Sequence, residues 1–356
     1  MRVLIDTTVA QRAPLSGTGV YLTRLCQALS ARRDIELVTV ANPRWRPVAR
    51  AGVDGVRNLA ADLWWTGQEL PRLARQAGAE LIHHPGPGRI PKDPGVPQVV
   101  TLHDLAFEVR PKDFDRGFRA YAHLAHRGAA QTARVIIAVT RTTAEDAREL
   151  WGVPAERIVV AHHGPGQALR AGAGRGAGAG GAGRGRYFLY VGSQEPRKDL
   201  STLLNAYSRY RLAAAERPAG LLLAGSALGV AAPGVRRESD PDPSRLGELY
   251  AGALALVHPA RYEGFGLTVL EAMALRVPVV AARSAAVVEV AGEAALMVDP
   301  GDPVELGAAL IRVASEPALR ARLSARGRER ASGFSWARSA QRHVDAYALA
   351  VGRSGP

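Results

Sequence analysis

Ala253-Leu254-Ala255-Leu256-Val257-His258, followed closely by Arg261-Tyr262-Glu263-Gly264-Phe265-Gly266-Leu267-Thr268-Val269-Leu270-Glu271, reads as a strand that turns into a helix. The first six residues are short and almost continuously apolar, as a strand covered on both faces must be, and Thr268 to Leu275 is rich in helix formers. Gly264 and Gly266 allow a sharp bend and close approach of a ligand, while the N–H groups that open a helix are left facing outward. Such a turn suits a phosphate. Glu263 and Glu271 lie on either side of the glycines with seven residues between them. A carboxylate accepts two hydrogen bonds at once and so pairs naturally with sugar or ribose hydroxyls. The segment is therefore a candidate site for a molecule carrying both phosphate and hydroxyls; the plain alternative is an ordinary turn with two surface glutamates.

Strands are expected near Ile35 to Val40, Leu81 to His84, Gln98 to Leu102, Val135 to Val139, Ile158 to Ala161, Tyr187 to Val191 and Leu221 to Gly225, with helical stretches between. Strand and helix taking turns specifies an α/β chain of parallel sheets covered by helices on both faces. Ligands then collect at the C-terminal strand ends. The clearest boundary is Gly164 to Arg186, almost wholly Gly, Ala and Arg, which reads as a flexible interdomain linker. The expected organisation is an N-terminal domain over 1–164, a linker over 165–186, a second domain over 187–334 and a C-terminal helix over 335–356. After Asp299 the chain reads as three helices starting near Pro303, Pro317 and Ser335, with Trp336 and Tyr347 as core contacts in the last.

With 356 residues, the chain has length for two such domains. Its formal charge of +13 and pI near 10.6 invite a nucleic-acid or membrane-surface reading. Among 46 basic residues only Lys92, Lys112 and Lys198 are lysines, so the charge is arginine spread along the chain, and no RNA-binding aromatic motif or zinc spacing accompanies it. No specific nucleic-acid partner is expected; attraction to an anionic bilayer or a lipid-phosphate acceptor stays open. The aromatic and basic segment Arg110 to Arg127, with Phe114, Phe118, Tyr121, Arg116 and Arg119, is either a solvated helix face with packed rings or a contact for acceptor or membrane. No run approaches a membrane helix, Asp6 interrupts the apolar start, and a cytosolic location is expected, with peripheral contact at the inner membrane face as an option. Cys26 stands alone, which leaves no disulfide framework or thiol metal cluster.

Near the N-terminus a strand, Val3-Leu4-Ile5, leads into Pro14-Leu15-Ser16-Gly17-Thr18-Gly19 and then a helix from about Val20 to Ala31. Leu22 replaces the third glycine of a dinucleotide fingerprint, which disfavours a nicotinamide enzyme. Polar residues end several strands: His83-His84, His103-Asp104, Thr140 and His162-His163. Adjacent histidines on an extended chain point to opposite sides, so the pairs are read as loop or cleft-lining residues and not as chelates. In the second half, Gly192-Ser193-Gln194-Glu195-Pro196-Arg197-Lys198-Asp199 places two cations just after a strand, where they would stabilise a diphosphate. Asp240-Pro241-Asp242 imitates a metal-binding D-x-D motif, but flanking prolines and the lack of an expected preceding strand favour a turn.

Glu263 and Glu271, with Gly-Phe-Gly-Leu between them and Glu-Ala-Met-Ala at the end, resemble the E-x7-E signature of the family 4 retaining glycosyltransferases, whose fold is GT-B: two Rossmann-like doubly wound domains with a central cleft. Val277-Pro278-Val279-Val280 and Glu289-Val290-Ala291-Gly292-Glu293-Ala294-Ala295 continue the likeness, as do the N-terminal glycine loop, Leu102-His103-Asp104-Leu105 and Lys198. The resemblance implies transfer of a sugar from a nucleotide-diphosphate sugar donor to a hydroxyl acceptor, lipid-linked ones included, with retention, no metal and no other cofactor. It implies catalytic roles for His103, Glu263 and Lys198. It places Gly17, Gly19, Asp104, Arg197, Lys198, Gly264, Phe265, Gly266, Leu267, Thr268 and Glu271 against substrate, with Glu271 on the ribose, Glu263 and His103 on the transferred sugar, and Gly19, Arg197, Lys198 and the 266–268 N–H groups on the phosphates. The likeness is greatest to mannosyl- and rhamnosyl-type members, which points to GDP-mannose. Front-face attack is the implied route to retention, and the terminal helix would cross back onto the first domain. The chain departs from the family at Ser193, where some members have arginine, over Ser226 to Ser244, where a helix and strand are expected to be missing, and at Arg276, usually glycine. Two rivals are a GT-B nucleotide-sugar 2-epimerase and a basic nucleic-acid binder.

Overall fold

In the computed structural model, residues 1–45, 53–166, 187–214, 218–226, 229 and 231–353 are described. Two compact units emerge, Met1–His163 with Trp336–Pro356, and Gly164–Ser335. Most of the Gly/Ala/Arg-rich stretch read as a linker, residues 167–186, lies outside the described residues.

The first unit is built on six strands, β1 (Arg2–Asp6), β2 (Glu36–Val40), β3 (Leu81–His84), β4 (Gln98–Leu102), β5 (Val135–Ala138) and β6 (Ile158–Val160), in the order β2-β1-β3-β4-β5-β6. All neighbours pair in parallel. Every residue of β3, β4 and β5 is buried, the consequence of helices on both faces. The helix Gly17–Ser30 lays Tyr21, Leu22, Leu25 and Leu29 against Val3, Ile5 and Ile137. Each fully buried Leu contributes roughly 2 kcal/mol.

The helix Trp336–Ala350 belongs to this unit although 172 residues of the other unit precede it in sequence. Ala340, Val344 and Tyr347 pack into the core cluster of Val3, Leu25 and Val135. A buried relay of hydrogen bonds fixes its position. Tyr347 Oη lies 2.8 Å from His83 Nδ1, His83 Nε2 2.8 Å from Thr101 Oγ1, Thr101 Oγ1 2.9 Å from Tyr21 Oη, and Tyr21 Oη 2.9 Å from His343 Nε2. His343 Nδ1 donates to the Ser339 carbonyl at 2.7 Å. Because a carbonyl only accepts, His343 Nδ1 carries a proton, and with both imidazoles kept neutral by burial every hydroxyl and ring N–H in the relay donates in one direction.

The second unit holds β7 (Tyr187–Val191), β8 (Gly220–Ala224), β9 (Val235–Glu238), β10 (Ala253–His258), β11 (Val279–Ala282) and β12 (Leu296–Val298), in the order β12-β11-β10-β7-β8-β9, again all parallel. Numbered within the unit this is 6-5-4-1-2-3, the doubly wound order, whose direction of growth reverses between β7 and β10. Phe188, Tyr190, Leu221, Leu223 and Val257 from the sheet meet Leu203, Leu306, Leu310 and Val313 from helices.

Four expectations are corrected. The N-terminal glycines are not in a loop: the helix starts at Gly17, capped by Ser16, and a short helix, Thr8–Arg12, precedes it. A strand does exist within 226–244: β9 pairs with β8 at the sheet edge, where its Arg-Arg-Glu sequence is tolerated because one side is solvated. Asp240-Pro241-Asp242 is a helix start, with Asp242 Oδ1 accepting from the N–H groups of Ser244 and Arg245. His83 and His84 are buried strand residues and not loop residues; their rings go to separate partners, Thr101 and Gln98.

Burial pushes the imidazoles of His83 and His163 well down, and that of His343 down to about 4. These groups have folded values below their unfolded value near 6.5, so the unfolded chain binds more protons between the two, and stability present above pH 6.5 is lost as pH falls toward 4. His343 alone is worth up to about 3 kcal/mol of that loss. All five tryptophans lie in this unit, so their fluorescence reports it selectively. Urea midpoints followed by tryptophan emission should fall from pH 7 to pH 4.5, and fall less steeply in His343→Leu.

Candidate functional site

Where the strand order reverses, the loops after β7 and β10 lie side by side, because these strands are neighbours. After β7 the chain passes through a 3-10 turn, Pro196–Lys198, to Asp199, which caps the helix Leu200–Ala213 from a left-handed conformation (φ 50°). Asp199 accepts from Ser201 Oγ at 3.0 Å, Thr202 Oγ1 at 2.8 Å and Arg261 Nε at 2.6 Å. Arg261, from the loop after β10, also donates its backbone N–H to the Arg197 carbonyl at 2.9 Å. The two loops are thereby locked together.

This lock brings Glu263 to the cations. Its buried carboxylate binds Lys198 Nζ through Oε1, while Oε2 lies 3.5 Å from Arg197 Nη1. His258 Nε2 is buried 3.4 Å from Oε1 without forming a hydrogen bond, and its Nδ1 is 3.3 Å from Thr268 Oγ1. Burial by itself would raise the Glu263 pKa, but Lys198, His258 and Arg197 outweigh it and hold the carboxyl well below its usual range. Glu263 is thus an ionised acceptor in a largely dehydrated place.

Eight residues on, Glu271 is buried in the helix Leu267–Ala274. Tyr250 Oη donates to its Oε2 at 2.9 Å. Backbone closes in on the other side: a Cβ at Gly166 would sit 1.9 Å from Glu271 Oε1, so a side chain at 166 would have to displace that carboxylate. The helix starts after Gly266 (φ 90°), which offers no side chain to cap its first N–H groups. A helix start lacking a side-chain cap, two cations and two fixed carboxylates make a surface for phosphate and hydroxyls together.

Comparison with known proteins agrees. The family described as Glycosyltransferase Family 4 matches residues 15–164, and that described as Glycosyl transferases group 1 matches residues 185–316. Each half of the chain thus matches a glycosyltransferase family, and the chain is a glycosyltransferase. O-antigen chain mannosyltransferase B of Escherichia coli is 27% identical over 389 residues, covering 97% of this chain and 99% of that one. Sucrose-phosphate synthase from Thermosynechococcus elongatus superposes with a TM-score of 0.74 at 19% identity over 98% of both chains. Anabaena HepE in complex with UDP-glucose gives 0.68 at 17% identity, over 98% of this chain and 99% of that one. The fold is GT-B, and this glycosyltransferase is a transferase of sugars, which sets it apart from the epimerase and nucleic-acid readings.

In the second unit, Arg197, Lys198, Glu263, Gly264, Gly266, Leu267, Thr268 and Glu271 gather on the two loops and the helix that follows. Phe265 is there too, but its ring turns into the core, edge-on to Phe334 with centroids 6.1 Å apart, so only its backbone faces the turn. In the first unit His103 follows β4 with Nε2 2.7 Å from the Pro85 carbonyl and its ring edge-on to Tyr21 at 4.8 Å. Burial lowers its pKa. Asp104 Oδ1 accepts the Ala106 N–H at 3.0 Å and starts the short helix Ala106–Val109. Gly19 owes its identity to the Ala13 carbonyl, 2.1 Å from where a Cβ would lie, and its N–H donates to Ser16 Oγ at 3.1 Å; Gly17 is exposed at the same helix start.

Sequence reasoning missed Tyr250, Gly166, His258 and the Arg261–Asp199 pair. Arg261 and His258 stood inside the decisive stretch, but the partner of Arg261 comes from the loop after β7, and His258 meets Glu263 and Thr268 of its own stretch only once the turn has folded. Among the described residues no group of three or more His, Cys, Asp or Glu side chains is arranged to hold a metal, and no helix is long and apolar enough to cross a membrane.

Removing one partner of a buried ion pair leaves an uncompensated charge. Lys198→Met should destabilise the protein at pH 7 by about 3 kcal/mol, with Arg197 keeping the cost at the low end. The deficit should shrink below pH 5 as Glu263 takes up a proton, and paired urea titrations at the two pH values check it.

Proposed function

We propose that the chain is a retaining, metal-independent glycosyltransferase that moves a sugar, mannose from GDP-mannose in the first instance, onto a hydroxyl acceptor of a glycan or glycolipid. One observation carries this reading: Glu263, ionised and anchored by Lys198 and Arg197, stands beside a helix start with no side-chain cap at the switch point of a doubly wound sheet. Support for a nucleotide-sugar donor also comes from HepE, a structural likeness whose complex holds UDP-glucose. Support for mannose comes from the E. coli O-antigen mannosyltransferase.

In this reading Glu271, held by Tyr250, receives the ribose hydroxyls. The diphosphate lies on the N–H groups of Gly266, Leu267 and Thr268, with Lys198 and Arg197 beside it. Glu263 accepts hydroxyls of the transferred sugar. A carboxylate already bound by a lysine is a poor nucleophile and a good acceptor. Retention then follows from front-face attack: the acceptor oxygen bonds to the anomeric carbon, the bond to the departing phosphate breaks, and the acceptor proton goes to that phosphate oxygen. The two cations and the helix dipole stabilise the negative charge that grows there. No metal is needed for that role.

Thermal shift and hydrolysis across a panel of nucleotide sugars identify the donor. Glu263→Ala should lower kcat by at least about 100-fold, as expected for loss of a group that positions the sugar, and no glycosyl-enzyme should accumulate on mass spectrometry. Tyr250→Phe should raise the donor KM by about fivefold with kcat nearly unchanged, the value of one hydrogen bond to a charged group. A covalent adduct on Glu263, or an unchanged donor KM in Tyr250→Phe, would overturn the assignment.

A membrane-side acceptor is favoured by the helix Arg116–Thr132, which exposes Leu124 to 66% together with Phe118 and Tyr121 on an arginine-bearing surface. Phe114 and Phe118 also stack on one another at 5.8 Å, so part of the cluster is packing. Leu124→Glu with Arg116→Glu should abolish sedimentation with phosphatidylglycerol vesicles and leave activity on a soluble acceptor intact; undiminished sedimentation refutes the membrane contact.

A further inference from the structure

The sheet of the second unit has a second edge. The donor loops follow the C-terminal ends of β7 and β10, whereas Ala253 opens β10 and Val277-Pro278 lead into β11 at the opposite, N-terminal edge. There a cavity of about 290 Å³ is lined by Ala251, Leu254, Ala321, Ser324 and two arginines, Arg276 and Arg320, with no acidic residue among its walls.

Arg276 is the anomaly. It adopts φ 60°, the left-handed region that glycine enters freely and side chains avoid. The other two non-glycine residues with positive φ among those described, Asp199 and Asp240, have short polar side chains of the kind that tolerate it. Arg276 is a long one, exposed, and among the described residues its guanidinium makes no hydrogen bond or ion pair. A cation does favour the end of the helix Leu267–Ala274, but an arginine at Ala274 or Leu275 would gain the same without strain. The residue is therefore placed for what its side chain reaches. Its backbone is held there: the Arg276 N–H donates to Met273 O at 3.0 Å, and its carbonyl accepts from Ser324 Oγ at 2.7 Å.

Arg320, facing the same cavity, is fixed by a different device. Its Nη1 donates to the carbonyls of Val313 and Ala314 at 2.7 and 2.9 Å, at the end of the helix Pro303–Ser315, and this leaves Nε and Nη2 without a partner among the described residues. One guanidinium is thus positioned by its own side-chain bonds and the other by a strained main chain, around a space large enough for a phosphate group. A guanidinium fork matches the oxygens of a phosphate or a carboxylate bidentately, and two forks around one space suit the more highly charged phosphate.

We infer that Arg276 and Arg320 form a second anion site, on the edge of the sheet opposite the donor loops, for a phosphate group borne by a soluble metabolite or a lipid headgroup. Strain retained at a single residue is the mark of a functional position when the surrounding structure holds it in place.

The test is titration of the full chain with inorganic phosphate by calorimetry, with saturating guanosine diphosphate present to occupy the donor loops, alongside sedimentation with phosphatidylglycerol and phosphatidylcholine vesicles. Arg276→Gly removes the guanidinium and relieves the backbone, so without phosphate its Tm should match or exceed that of the parent chain. Ala321→Glu leaves both arginines and puts a carboxylate in the cavity. Both variants should weaken phosphate binding by about tenfold or more while sugar transfer to a soluble acceptor is retained. If phosphate binding falls, the ligand is a soluble phosphate; if only phosphatidylglycerol binding falls, it is a headgroup; either supports the site. Phosphate and vesicle binding equal in all three proteins overturns it.

Discussion

The second unit is organised by a charge that has to be neutralised. Glu263 sits below the surface of a sheet edge, where an isolated carboxylate would not stay ionised, and Lys198 and Arg197 make its ionisation possible. Those cations come from a different strand–loop–helix unit, so the ion pair exists only if β7 and β10 are neighbours. Arg261 and Asp199 repeat the requirement with charges reversed: the acid now comes from the loop after β7 and the base from the loop after β10. Two crossed ion pairs fix both the spacing and the register of the loops, and through Gly266 they set where the helix carrying Glu271 begins.

The first unit answers a similar demand with neutral groups. Its sheet must accept a helix that arrives after 172 residues belonging to the other unit, and apolar burial alone does not specify how far along its axis such a helix sits. The relay through Tyr347, His83, Thr101, Tyr21 and His343 does specify it, since every hydroxyl and ring after the terminal Tyr347 has one donor and one acceptor in use. The cost is sensitivity to protons, because a charged imidazole would set two donors against each other. The five groups come from four elements: β3, β4, the helix Gly17–Ser30 and the helix Trp336–Ala350.

Much of the fold was legible in the residues. Continuous apolar runs such as Leu221 to Ala224 and Val135 to Val139 can only be doubly covered strands, and they alternate with helical stretches, so a parallel α/β architecture follows. The failures are equally physical. Val235–Glu238 carries three charged residues in four and has no strand pattern, because an edge strand needs only one partner and one covered face. Ser16 capping a helix that starts with glycine was mistaken for a loop, since glycine usually argues against helix and its need here arises from Ala13 in the preceding turn.

Of the site, residue type and local spacing were determined by the sequence alone: two glutamates about glycines at a strand-to-helix turn, and an arginine and lysine after another strand, because these depend on bonds between near neighbours in the chain. Which groups meet was decided only by tertiary structure. That Tyr250 holds Glu271, that Gly166 is backed against the same carboxylate, and that Arg261 returns to Asp199 are all consequences of strand order. Hydrogen bonds and ion pairs act over a few ångströms, and sequence distance carries no record of those ångströms until the sheet has been assembled.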